Sequence, residues 1–315
     1  GTSSNGAGAF GASINLSTFN TSNSSAPYGE IANSFGSFNT QKNTLKLGTG
    51  LIDGKWNFEG RLSRVVSDGF VDRASADLSS YYLSGSYYGN KSTLRAIAFS
   101  GHETTYQAWY GAPIRVLDTN QTYNPYQYDN EVDDYTQSHY QLHFSHFFNT
   151  KFKVNAALHY TRGFGYYEQY KGIGQNALIN YYSQENLADY GLDTIFTSSG
   201  DTIAQTDLIR RRWLDNHFYG LVYSAEYNSE KLQLIIGGGA NQYLGKHFGE
   251  VIWAQYSSNG SIRHPYYDND AVKNDVNVYA KMNYKIKPNL DLYLDLQERF
   301  ISYEFLGFDN DLNNI

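Results

Sequence analysis

The sequence predicts an all-β chain folded as an antiparallel β-barrel that crosses a membrane. Three observations predict it. Segments of about ten residues alternate apolar and polar side chains with period two, the connections between them alternate in length, and aromatic residues recur at fixed separations on the apolar faces. Composition agrees. Aromatics make up 17% of 315 residues, with 30 Tyr and 18 Phe against 1 Met and 5 Pro, which is poor material for a helical bundle and too aromatic for a disordered chain.

The alternation places eleven strands near 28–38, 42–51, 55–66, 79–88, 91–100, 137–148, 152–162, 213–228, 231–244, 273–285 and 290–304. The third sets Trp56, Phe58, Gly60 and Leu62 against Asn57, Glu59, Arg61 and Ser63. In the seventh, Phe152, Val154, Ala156, Leu158 and Tyr160 oppose Lys153, Asn155, Ala157 and His159. The eighth opposes Tyr219, Leu221, Tyr223, Ala225 and Tyr227 to Gly220, Val222, Ser224 and Glu226, and the last opposes Leu290, Leu292, Leu294 and Leu296 to Asp291, Tyr293, Asp295 and Gln297. Each strand has one greasy and one wet face.

Every second connection is a tight turn: Ile52-Asp53-Gly54, Gly89-Asn90, Asn149-Thr150-Lys151, Asn228-Ser229-Glu230-Lys231 and Lys287-Pro288-Asn289. The others, about 67–78, 101–136, 163–212 and 245–272, are long, and only the first, near 38–41, is short. That rhythm sends all long loops to one end, the layout of outer-membrane barrels. A soluble sandwich also has one-sided strands, but its Greek-key crossovers break the rhythm. Tyr140 with Phe148, Phe152 with Tyr160, and Tyr219 with Tyr227 are same-face pairs eight positions apart, on the order of 20 Å of height in a tilted strand. They form two aromatic girdles around an apolar band. His146 falls on the same face and fits it poorly unless it snorkels near the strand end.

Net charge of −7 argues against a nucleic-acid partner, and the absence of Cys excludes a disulfide framework, thiolate metal sites and a cysteine nucleophile. No apolar run reaches the roughly 18 residues of a spanning helix, which leaves a barrel open. Gly1 opens a polar run with no signal-peptide core, so for an exported barrel the expected start lies outside these residues. An eleven-stranded sheet cannot close its edge to lipid, so the chain is expected to be part of a larger barrel. Paired carboxylates such as Asp133 and Asp134 are not set apart as acid and base. Asp291 with Asp295, and His139 with His143, sit about 13 Å apart along one face, too far for a dyad or a shared metal. His102 and Glu103 are adjacent and are expected on a loop. No catalytic residue, metal ligand or cofactor is expected.

Residues 6–11, Gly-Ala-Gly-Ala-Phe-Gly, match the dinucleotide fingerprint literally, but Ala12 to Thr18 continues as a strand and not as the required helix. The stretch Gly1 to Thr18, with its glycine-rich turn and Ile14-Asn15-Leu16, instead resembles the end of the plug domain of TonB-dependent outer-membrane receptors. Phe19 to Pro27 then resembles the linker to the first barrel strand. Similar to the siderophore-type receptors of Bacteroides-like bacteria are Asp68 to Ala74, Tyr106-Gln107-Ala108-Trp109, Tyr123-Asn124-Pro125, Tyr128 to Asp133, Leu158 to Gly163, Arg210 to Asn216 and His247 to Trp253.

The resemblance implies a division into a plug end, residues 1–20, and the N-terminal half of a 22-stranded barrel, residues 21–315. The energy-coupling box, most of the plug and the closing strand would lie elsewhere. It further implies import across the outer membrane of a Gram-negative bacterium, driven by the TonB energy-coupling complex, with no bond made or broken. The ligand class it favours is a ferric siderophore. A glycan taken up with a surface lipoprotein is the alternative, and an enzymatic outer-membrane barrel a lesser one. Glu59, Arg61, Lys153, His159, Glu226, Lys281, Asp291 and Asp295 would form a wetted wall against the plug.

Candidate ligand-binding residues are Tyr106, Trp109, Tyr110 and Tyr126 in one long loop, with Arg210, Arg212 and His247. Loop aromatics suit stacking on catecholates or sugars, and equally suit packing the loop on itself. Arg210 and Arg212 share a strand face while Arg211 points opposite. Their guanidinium forks suit an anionic ligand, the phosphates of lipopolysaccharide, or pairing with Asp207 and Asp215.

Overall fold

The computed structural model describes residues 26–173, 183–258 and 263–306. The expected plug end and the glycine fingerprint lie outside them. In chain order the strands are β1 (Tyr28–Phe35), β2 (Gln41–Gly48), β3 (Trp56–Ser67), β4 (Ala76–Tyr88), β5 (Ser92–Tyr106), β6 (Val132–Phe147) and β7 (Phe152–Lys171). Four two-residue strands follow within one loop: β8 (Glu185–Asn186), β9 (Ile195–Phe196), β10 (Thr202–Ile203) and β11 (Gln205–Thr206). The chain then resumes with β12 (Leu208–Asn228), β13 (Leu232–Ala254), β14 (His264–Lys287) and β15 (Leu290–Leu306). β1 to β7 and β12 to β15 form one eleven-stranded antiparallel meander in which neighbours in sequence are neighbours in space, with β1 and β15 at its two edges.

All eleven expected strands are present, and the meander fixes which end each connection occupies. The tight turns lie at one end and the long loops at the other. At the turn end, Asp53 and Gly54 both take positive φ and Lys55 N–H donates to Ile52 O, the hairpin geometry that Asp-Gly favours. Asn149 Oδ1 accepts from the backbone N–H of Lys151 and Phe152, tying the β6–β7 turn. His146 lies near that turn, and its Nδ1 meets Ser92 Oγ at 2.7 Å, which satisfies the ring nitrogen that fitted the apolar face poorly.

Register joins the faces across strands. Leu142, Leu158 and Leu221 are cross-strand partners on one face, as are Tyr140, Tyr160 and Tyr219. The opposite face carries Lys153 beside Glu226 and Lys281 beside Asp295, the alternating wall expected of a wet interior. Burial separates the two. Leu83 and Leu158 on the apolar face are each 53% exposed, whereas Tyr82, Ser84, Asp275 and Asn277 on the polar face are all buried. A sheet that curls with its polar face concave shields that face and turns the apolar one outward, the arrangement a lipid-embedded barrel requires.

The strands run farther at the loop end than alternation indicates. β5 continues to Tyr106, β7 to Lys171 and β13 to Ala254, while β6 begins at Val132, β12 at Leu208 and β14 at His264. Thus His102 and Glu103 lie within β5, on opposite faces, and Arg210 to Arg212 lie within β12 and not in a loop. The reason is physical. Beyond the lipid both faces meet water, so the period-two signal vanishes while the backbone ladder continues.

Candidate functional site

The loop end of β7, β12 and β13 gathers cations and phenols on the concave face. Arg210 and Arg212 project there and Arg211 projects outward, where its Nε donates to Glu168 Oε2 at 2.7 Å. Arg210 Nη1 donates to the Tyr190 hydroxyl at 2.9 Å and Nη2 to Gln169 Oε1 at 3.1 Å. Arg212 Nη1 donates to the Tyr167 hydroxyl at 3.1 Å, and its guanidinium stands 5.5 Å from the Tyr267 ring centre. Tyr190 packs against Tyr266 at 4.7 Å between centroids, and Tyr266 against Tyr267 at 4.9 Å. The two alternative partners offered by sequence are engaged elsewhere: Asp215 pairs with Arg162, and Asp207 accepts from the Tyr170 hydroxyl.

Two irregularities build this cluster. The β13–β14 pairing shifts register between Gly249 and Glu250, so Tyr266 is an extra residue opposite Gly249. A classic property of such bulges is to re-aim side chains, and here Tyr266 and Tyr267 both reach over Gly249. A Cβ at Gly249 would collide with both rings. The β12–β13 pairing also shifts between Ile209 and Arg210. Above them, the loop between β7 and β12 lays Leu187, Tyr190 and Leu192 against Leu208 and Val251 in a small apolar core, so Tyr190 is held down over Arg210.

Electrostatics keeps the arginines charged and the phenols neutral. Burial raises the Tyr190 and Tyr267 hydroxyls well above the ordinary tyrosine value, against the opposing pull of the nearby arginines. Burial works against the charges of Arg210 and Arg212, but the surrounding phenols of Tyr190, Tyr266 and Tyr167 outweigh it and both guanidinium pKa values rise. Lys171 adds a third basic group whose pKa is lowered by burial and then by the like charge of Arg210.

Of the expected site residues, Trp109 joins this cluster, its ring meeting Tyr167 edge-on at 5.4 Å while 52% exposed. Tyr110 is 40% exposed and stacks on Tyr126 at 5.3 Å. Tyr106 and Tyr126 are interior to their loop. Tyr126 is fully buried, and the Tyr106 hydroxyl donates to Tyr128 O at 2.7 Å, its pKa pushed up to about 12 by burial. For these two, self-packing accounts for the ring. His247 lies on the concave face of β13, one alternation from Gly249, and is exposed. Sequence reading missed Tyr167, Tyr190, Tyr266 and Tyr267. The only signal for them was the density of tyrosine beside a strand glycine, which gives no register.

The loop bearing Trp109 is tied down by Arg73. This residue adopts a left-handed backbone at φ 64° and donates from Nε to Tyr126 O at 2.9 Å and from Nη2 to Asn124 O at 3.0 Å. Asn124 Nδ2 in turn donates to Asp72 O at 2.9 Å and Gln107 O at 3.0 Å. Arg73→Ala should loosen the loop by about 1–3 kcal/mol, the worth of charge-assisted hydrogen bonds to backbone. Hydrogen exchange across 107–131 should accelerate roughly tenfold or more while β6 and β7 keep their protection. Unchanged exchange there would remove Arg73 as the tie.

No family model and no curated protein sequence matches the chain. Solved structures do. The ferric-catecholate import receptor Fiu from E. coli K12, in its closed form, superposes with TM-score 0.56 and 12% identity over 90% of this chain and 42% of that one. The ferripyoverdine receptor of the outer membrane of Pseudomonas aeruginosa gives 0.60 and 12% over 90% and 38%. The copper transporter OprC gives 0.60 and 10% over 92% and 42%. The chain thus spans less than half the length of these receptors. At such identity the likeness speaks for the fold alone, and the eleven-stranded meander matches part of the β-barrel of these proteins.

Proposed function

We propose that this chain forms part of an outer-membrane importer powered through TonB, and that its ligand is an anionic ferric siderophore bound at the loop end. The observation that carries this is the concave cluster of Arg210, Arg212, Lys171 and four tyrosines in a chain whose net charge is −7. Positive charge concentrated on the inner face of an acidic protein draws an anion to that place. Guanidinium forks match catecholate or carboxylate oxygens, and Trp109 and Tyr110 offer exposed ring faces beside them. The similar structures include an import receptor for ferric catecholates and a receptor bound to ferripyoverdine, and this likeness supports the ligand class. The residues act by charge and stacking, with no chemical step assigned to them.

The test is uptake of radioactive iron by cells carrying or lacking the complete receptor, supplied with a ferric catecholate under iron limitation. Receptor-dependent and energy-dependent iron accumulation is expected. Receptor-dependent uptake of an oligosaccharide in place of the iron complex would overturn the ligand class.

A further inference from the structure

The tight turns carry a second basic group on the inner wall. At four of them a lysine stands immediately before the strand that follows: Lys55, Lys91, Lys151 and Lys231. Each adds one step to its ladder, its carbonyl accepting at 2.8 Å from the N–H of Tyr88, Phe147, Asn228 and Lys285 in turn. That step fixes the face. Trp56 with Tyr87, Phe152 with Tyr227, and Leu232 with Tyr284 are apolar-face pairs one residue away, so by alternation the lysines fall on the concave polar face. Two contacts agree: Arg95 Nη2 donates to the Tyr88 hydroxyl at 3.0 Å, and Lys153 Nζ stands 5.3 Å from the Phe147 ring centre.

Position and charge decide what meets these lysines. They lie on every second strand of the sheet, about 10 Å apart along the rim. Because they face the lumen, lipid headgroups outside the barrel do not reach them. All four are exposed, and none forms an ion pair among the described residues. The carboxylates on this face lie opposite other lysines, Glu226 opposite Lys153 and Asp291 opposite Lys285. Lys231 instead meets the like charge of Lys285 across the ladder, an arrangement that an anion between them would relieve. Asp53 and Glu230 in the turns offset part of the charge, and residues 1–25 hold no acidic side chain that could offset the rest. An acidic protein surface is too broad to enter the lumen, whereas a small anion reaches the lysines from within.

We propose that Lys55, Lys91, Lys151 and Lys231, with Lys285, form a second and weaker station on the inner wall for a small, multiply charged anion of the class bound at the arginines. This rests on the anionic-ligand reading above. From Arg212 to Asn228 strand β12 descends roughly 40 Å in height, so one small ligand cannot touch both stations. Ammonium groups on flexible stems hold an anion by charge alone, without the fork geometry of Arg210 and Arg212. Binding there is therefore weak and readily reversed, which suits the periplasmic mouth that the turn end becomes in an outer-membrane barrel.

The experiment uses the complete receptor in non-ionic detergent and ferric tris-catecholate, a trianion, labelled with radioactive iron and followed by equilibrium dialysis. Two classes of site are expected, the weaker roughly a hundredfold or more below the tighter. Raising salt from about 0.05 to 0.5 M should weaken the weaker class about tenfold. Lys55→Gln, Lys91→Gln, Lys151→Gln and Lys231→Gln combined should abolish the weaker class and leave the tighter one unchanged, whereas Arg210→Glu with Arg212→Glu should do the reverse. Should the fourfold variant not fold, Lys91→Gln with Lys151→Gln should weaken that class about fivefold. A tight class with no weaker one, or a weaker class that survives the lysine variants, overturns the station alone. A weaker, lysine-dependent class without a tight one keeps the station and removes the arginine site, and no binding of either class sinks both. Capture of a polyglutamate peptide by the lysines in place of the iron complex also overturns the proposal.

Discussion

Tyr223→Arg is expected to destabilise the complete barrel by about 2–4 kcal/mol, the cost of a cation near the bilayer midplane. Tyr223 lies on the exposed apolar face between Ala156 and Gly238, midway between the girdle positions Tyr219 and Tyr227. No carboxylate on that part of the face can pair with the new charge, and the side chain must climb towards the girdle to reach water. Ser224→Arg, at the neighbouring parity, points to the wet interior beside Asn155 and Glu226, and should cost under about 1 kcal/mol. Urea titration of folding into lipid vesicles measures both. Equal costs at the two positions would mean that the faces are reversed.

Charge reversal of the inward pair, Arg210→Glu with Arg212→Glu, is expected to weaken binding of an anionic ferric catecholate by roughly a hundredfold or more. Charge-assisted hydrogen bonds contribute about 1.5–3 kcal/mol each, and two are removed. The slope of affinity against salt should flatten as well, since the attraction being lost is electrostatic. Arg210 and Arg212 now donate to Tyr190, Gln169 and Tyr167, so a bound anion takes over bonds from phenols that burial keeps neutral. Arg211→Glu serves as the control. It disrupts the outward pair with Glu168, and it should alter affinity little because that side chain faces away from the interior. If affinity for the catecholate is unchanged in the double variant and the barrel still folds, the arginines do not belong to the binding site.

How much of this was legible without coordinates depends on what each face meets. Strands β3, β7, β12 and β15 announce themselves because one face touches lipid and the other water, and that contrast is written residue by residue. The tight turns are legible for a local reason: Asp53-Gly54 and Asn149 carry conformational preferences that act within a few residues. The opposite projection of Arg211 relative to Arg210 and Arg212 also follows from strand geometry alone, and the structure bears it out.

The upper extensions were not legible, and Arg210 to Arg212 were accordingly expected to close a loop. Nor was the candidate site, which joins Tyr167 of β7, the arginines of β12, Gly249 of β13, Tyr266 and Tyr267 of β14, and Tyr190 of a loop. The sequence by itself determined the all-β class, the order of strands, which face turns to lipid and which end carries the loops, because these depend on periodicity and on short-range turn chemistry. Only the tertiary structure decided which tyrosines cover the arginines and which loop rings are spent on packing. Those outcomes depend on two register shifts and on where a long loop comes to rest, and both are set by contacts between residues far apart in the chain.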